Sequence, residues 1–174
     1  MGTTRWYAWS MKIDENYEFP IDAASGTRVT HHQQMTHNGL EYGNPDAVWD
    51  PHFWVGLIKY RNVAWVAFMK PAQYGYAKKL IVPLEEVRGQ WLYFVERIDW
   101  STDTDGSYRL YMNGEKVVEY TNYATSKPGF DHIIQNWGIY RKSTRVEREQ
   151  GKTYTQIVYF DNIRDGDTYE DIAY

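Results

Sequence analysis

Apolar and polar positions along this chain alternate with a period of two far more often than with the 3.6-residue period of a helix. Trp6-Tyr7-Ala8-Trp9-Ser10-Met11-Lys12-Ile13 reads as a strand rich in aromatics, and Val29–His37 as a second, more polar one. Phe53–Tyr60 and Val63–Met69 predict an antiparallel pair around Lys59-Tyr60-Arg61-Asn62. Trp91–Trp100 predicts a long strand carrying Glu96, Arg97 and Asp99. Tyr108–Met112 and Glu115–Tyr120 flank Asn113-Gly114, a strong hairpin signal because both turn residues must accept positive φ. Ile133–Arg141 and Thr155–Phe160 complete the set. Pro83–Val87 predicts one short helical turn with the proline near its start. Many short strands and little helix predict an all-β sandwich or barrel. The polar loop Asn38–Pro51 and the charged stretch Lys142–Lys152 read as insertions between strands, where function is often carried.

The chain of 174 residues has no linker-like stretch, so 1–174 is expected to be one domain. Its rings are unusually many: 8 Trp, 16 Tyr and 6 Phe. Most suit the core and cross-strand pairs of a pleated sheet, and some are expected to line a groove where sugar rings stack. The net charge of −4 gives no electrostatic footprint for nucleic acid. There is no apolar run long enough to span a bilayer, and the N-terminus shows no apolar signal core. Neither a nucleic acid nor a membrane is therefore expected as partner. The absence of cysteine excludes a disulfide scaffold, a thiol nucleophile and any Cys-ligated metal.

Four segments in order carry a resemblance. They are Trp91–Ser101, then Asp105–Val117, then Trp137-Gly138-Ile139-Tyr140-Arg141, and finally Val158-Tyr159-Phe160-Asp161-Asn162-Ile163-Arg164. This order, with the opening Arg5-Trp6-Tyr7-Ala8-Trp9-Ser10, is similar to the heparin-lyase-I-like and glucuronan-lyase-like polysaccharide lyases. The resemblance implies a concanavalin A-like β-jelly roll of two antiparallel sheets, the concave one holding an acidic polysaccharide. It also implies an extracellular or surface-associated setting. A Gln-x-His strand, the Tyr of a Gly-x-Tyr strand, and Arg and Glu from a strand nearer the N-terminus would supply the site.

The implied chemistry is β-elimination on a uronate. Donors must stabilise the dianion that forms when C5 loses its proton, as an oxyanion hole does. A base must reach C5 and an acid must protonate the leaving oxygen. Tyr140 matches the motif tyrosine, with Gly138 two positions earlier leaving room for a sugar. Val29 and Met35 are expected to point into the core, which would put Thr30, His32, Gln34 and Thr36 on the groove side. Gln34 then matches the family glutamine, with His32 substituting for the family histidine, whose place falls at Thr36. His31 and His32 point to opposite faces of a regular strand, which argues against their chelating one ion.

The resemblance puts the family's lysine at Asn136, still able to hydrogen-bond a carboxylate. The family's Arg/Glu strand would precede Trp6, so N-terminal strands are expected to be lacking. Arg28, Arg61, Arg141 and Lys59 are the candidate replacements for the missing positive charge, Arg141 facing away from Tyr140 on a regular strand. Trp49, His52, Phe53 and Trp54 read either as a sugar-stacking lip or as an end plug, the plug being preferred for Trp54. Asp161-Asn162 resembles the place where related jelly rolls hold a structural Ca²⁺, although a strand-end Asp bonding a turn is the reading the residues favour. No cofactor is required for the chemistry. Two functions stay open: a lyase on an acidic polysaccharide, and a non-catalytic glycan-binding or structural module, surface- or virion-associated. A glycoside hydrolase of this fold would need a pair of carboxylates flanking the bond, and no Glu-x-Asp-x-x-Glu-like strand provides them.

Overall fold

In the computed structural model, which describes residues 2–22, 27–39, 49–71, 76–130, 132–141 and 145–173, the alternating segments are strands. They are β1 (Thr4–Ile13), β2 (Arg28–His37), β3 (Trp49–Tyr60), β4 (Val63–Pro71), β5 (Tyr76–Pro83), β6 (Trp91–Asp99), β7 (Ser107–Met112), β8 (Glu115–Thr121), β9 (His132–Tyr140) and β10 (Val158–Gly166). A 3-10 turn spans Leu84–Glu86, where the proline-led turn is expected, and two short helices follow: α1 (Arg145–Gln150) and α2 (Tyr169–Ile172). The strand β5 is not anticipated by alternation. Lys78 and Lys79 interrupt its apolar residues, as suits an edge strand that pairs with β4 alone. The stretch Lys142–Lys152 contains α1 rather than a simple loop.

The strands form two antiparallel five-stranded sheets. Sheet A runs β10-β1-β6-β7-β8 and sheet B runs β5-β4-β3-β2-β9. The chain crosses between them after β1, β5, β8 and β9, which makes the sandwich a jelly roll. Asn113 and Gly114, both at positive φ, close the β7–β8 hairpin as expected. Arg61 and Asn62, also at positive φ, close β3–β4.

Aromatic rings fill the space between the sheets. Trp9 stacks on Phe94 at 5.1 Å, and Tyr108 of sheet A lies between Phe53 and Phe68 of sheet B at 4.2 and 4.7 Å. Trp9, Met11 and Ile13 of β1 alternate inward, as do Phe53, Val55 and Leu57 of β3. A second, smaller apolar cluster, Trp54, Ile58, Ala67 and Met69, lies apart from this core. Its β3 members alternate with the inward ones, so it occupies the outer face of sheet B.

A polar cluster sits deep in the interior. Glu96 of β6 is fully buried and accepts from Tyr108 Oη, Gln34 Nε2 at 2.8 Å and His32 Nε2 at 3.2 Å. The first donor lies on sheet A and the other two on sheet B. Burial, reinforced by the neighbouring Glu96, pushes the Tyr108 phenol well up, so it keeps its proton and donates.

Candidate functional site

The outer face of sheet B presents a cleft of about 140 Å³ across β2 and β9. Thr30, His31 and Gln33 line it from β2, and Asn136, Gly138, Ile139 and Tyr140 from β9. Thr30 pairs with Tyr140 and Gln33 with Asn136 across the ladder. Two amides thus stand side by side on the exposed face, with a phenol one end of the cleft away. Tyr140 is 61% exposed. On the other flank Gln33 pairs with Trp54 of β3, whose ring carries the Arg28 guanidinium at 5.5 Å.

A bulge creates this face. Relative to β3, the strand β2 holds one extra residue, His31, between Thr30 and His32. Val29 therefore points inward before the bulge, while His32, Gln34 and Thr36 point inward after it. The groove-facing placement of His32 and Gln34 is corrected: both are 0% exposed and hold Glu96. Thr36 likewise turns in, its Oγ1 2.6 Å from His52 Nε2. Met35, expected in the core, moves outward beside Asn136, whose Nδ2 lies 3.4 Å from its sulfur. The expectation assumed unbroken alternation between positions 29 and 35, and one extra residue reverses every face beyond it.

Gly138 is needed for its backbone. Its φ of 150° lies where a side chain is disfavoured, and a Cβ there would meet nothing within 4 Å. The carbonyl of Gly138 lies 3.2 Å from His31 Nδ1. A carbonyl only accepts, so Nδ1 carries the hydrogen, and the neutral ring leaves Nε2 as a bare lone pair, buried with no partner among the described residues. Burial lowers the His31 pKa to about 4, partly opposed by this hydrogen bond. His31 is a neutral clamp between β2 and the glycine of β9.

The remaining candidates fall elsewhere. Arg61, in the β3–β4 turn, lies 5.3 Å over the Tyr60 ring and does not line the cleft. Arg141 turns away from Tyr140 to bond Gln156 and Glu147. Lys59 is buried. Trp49 begins β3, and its side chain lies outside the described residues, as does most of the loop Asn38–Pro51. Trp54 is buried in the outer cluster of sheet B, and Phe53 in the core. Asp161 belongs to β10 of sheet A and accepts the Asn162 N–H at 2.7 Å. Among the described residues no group of three His, Asp or Glu side chains converges as a metal site would require. Thr30, expected on the groove side, does line the cleft, whereas Gln33 and His31 are cleft residues that sequence reading did not select. The doubled Gln33-Gln34 was the available signal, since on a strand one of two adjacent amides must face out.

The outer sheet face of this jelly-roll sandwich thus combines an amide pair, a glycine opening and an exposed tyrosine. A sequence profile of the polysaccharide lyase family matches residues 1–164, and the chain belongs to that family. Curated protein sequences give no significant match. Among solved structures, the endo-β-1,4-glucuronan lyase of the fungus Trichoderma reesei is similar. Its TM-score is 0.61 at 19% identity, over 98% of this chain and 71% of that one. An alginate lyase of Pseudomonas aeruginosa gives 0.58 at 13% identity, over 96% and 66%. An alginate lyase from a Chlorella virus gives 0.50 at 12%, over 97% and 72%. At these identities the likeness is one of fold. Among the described residues no helix is long and apolar enough to cross a membrane.

Proposed function

We propose that this polysaccharide lyase cleaves a uronate-containing polysaccharide by β-elimination in the β2–β9 cleft. The observation that carries the reading is the convergence of Gln33, Asn136 and Tyr140 on one exposed face, beside a glycine that leaves space. The uronate carboxylate lies against the amides of Gln33 and Asn136, whose N–H groups stabilise the dianion as C5 loses its proton. Tyr140 takes the C5 proton and returns it to the glycosidic oxygen at C4 as the C4–O bond breaks and a C4=C5 double bond forms. Arg28 adds positive charge on the Trp54 flank of the same face. Glucuronan and alginate are the substrates to try first, as the polymers named for the similar lyases. Such polymers are met outside the cell, which supports an extracellular or surface-associated setting.

The test is the ultraviolet absorbance of the unsaturated uronate released from a panel of glucuronan, alginate and heparin. Tyr140→Phe is expected to lower turnover by about 100-fold or more while binding survives. Gln33→Ala is expected to lose about 100-fold with an unchanged melting temperature. A Tyr140→Phe protein with wild-type turnover removes the assignment. Binding without product across the whole panel favours the non-catalytic module.

A further inference from the structure

The opposite side of the sandwich carries a second ring-lined surface. On β6 of sheet A, Trp91, Tyr93, Val95 and Arg97 alternate with inward residues and so share the outer face. They run for about 20 Å at the rise of a strand. Near Val95 the face opens into a cleft of about 290 Å³, walled by Trp6, Tyr111 and Tyr169 and edged by Gly114. Trp6 and Tyr169 meet edge to face at 5.4 Å, so α2 forms part of the wall. Trp91, Tyr93, Tyr159 and Tyr169 stay between 37% and 51% exposed. Exposed rings of this number on one sheet face mark an interaction surface.

Two cations are built into the same face. The Arg97 guanidinium lies 5.7 Å over the Trp6 ring. Lys12 Nζ lies 5.3 Å over Trp91 and 4.8 Å over Tyr159. Rings that stack on C–H faces, alternating with cations that meet carboxylates, suit an extended acidic sugar chain. Asp99 pairs with Arg97 at 3.0 Å on this face, so Lys12, held over Trp91 and Tyr159, is the cation that carries the charge complementarity.

We propose that this outer face of sheet A is a second binding surface for a uronate-containing polysaccharide, separate from the β2–β9 cleft on sheet B. It holds polymer without cleaving it. It shares with the reading above only the class of ligand, and it stands whether or not the cleft performs elimination.

The test uses the full chain carrying Tyr140→Phe, run in native gels containing glucuronan, alginate or a neutral glucan. Trp91→Ala combined with Tyr111→Ala is expected to weaken retardation by the acidic polymer at least about tenfold. The melting temperature stays the same. In the otherwise native protein the same pair leaves turnover of short uronate oligomers unchanged. Retardation is expected to fall with added salt, since exposed charge pairs are screened. Unchanged retardation in the double variant overturns the proposal. So does loss of all retardation on Gln33→Ala, equal retardation by the neutral glucan, or sedimentation showing that the two substitutions split a dimer. Product absorbance reports separately on the cleft, so either site can fail alone.

Discussion

His31 shows how much one side chain can settle. Its ring is fully enclosed, with Nδ1 bound to the Gly138 carbonyl and Nε2 facing no partner among the described residues. Burial lowers its pKa from 6.5 to about 4. Above pH 6.5 the ring is neutral whether folded or unfolded, and contributes no pH dependence. As pH falls from 6.5 towards 4, the unfolded chain binds a proton that the folded chain refuses, so stability drops. The full effect is about 3 kcal/mol and levels off below pH 4. Urea melts at pH 7 and pH 4.5 are expected to show this loss in the wild type and a smaller loss in His31→Gln. Parallel losses in the two proteins would place the titrating group elsewhere. Spacing could not reveal this role, because burial of a histidine is decided by residues far along the chain. Tyr140 and Gly138, by contrast, were legible as a motif, since they lie two residues apart in the chain.

At the scale of the element, β2 and β9 together make the cleft through local departures from regular pairing. The extra residue in β2 turns Gln33 outward and Gln34 inward. Gly138 takes a φ of 150° within β9, two residues before Tyr140, which pairs with Thr30. Gly138→Ala meets no neighbouring atom, so its effect must come from the backbone. It is expected to destabilise by about 1–3 kcal/mol and to lower turnover by moving Tyr140. Denaturation and kinetics on one preparation check both. A Gly138→Ala protein with native stability and turnover would mean that this backbone conformation is dispensable. Hairpins were readable at this scale, because Asn113-Gly114 states its turn chemistry locally. The bulge was not, because it depends on two partner strands that meet β2 in different registers.

Across the whole molecule, the Glu96 carboxylate ties the sheets together. Two donors reach it from β2 and one from β7. Glu96→Ala would leave three buried donors without their acceptor, at about 1–3 kcal/mol each, so a loss of about 3 kcal/mol or more is expected in urea denaturation. Glu96→Gln keeps an acceptor oxygen and is expected to lose less. A loss below about 1 kcal/mol in Glu96→Ala would show that aromatic packing alone holds this part of the sandwich.

What was settled in the amino-acid order is everything that depends on near neighbours. Alternation specified strands and an all-β sandwich, turn residues specified hairpins, and the Gly-x-Tyr segment marked one wall of the cleft. Which of Gln33 and Gln34 meets solvent, and that Glu96 is an interior anchor, were decided only when the sheets closed on each other. A strand has two faces, and parity assigns them only until the first bulge. Whether a bulge forms is set by packing between residues distant in the chain.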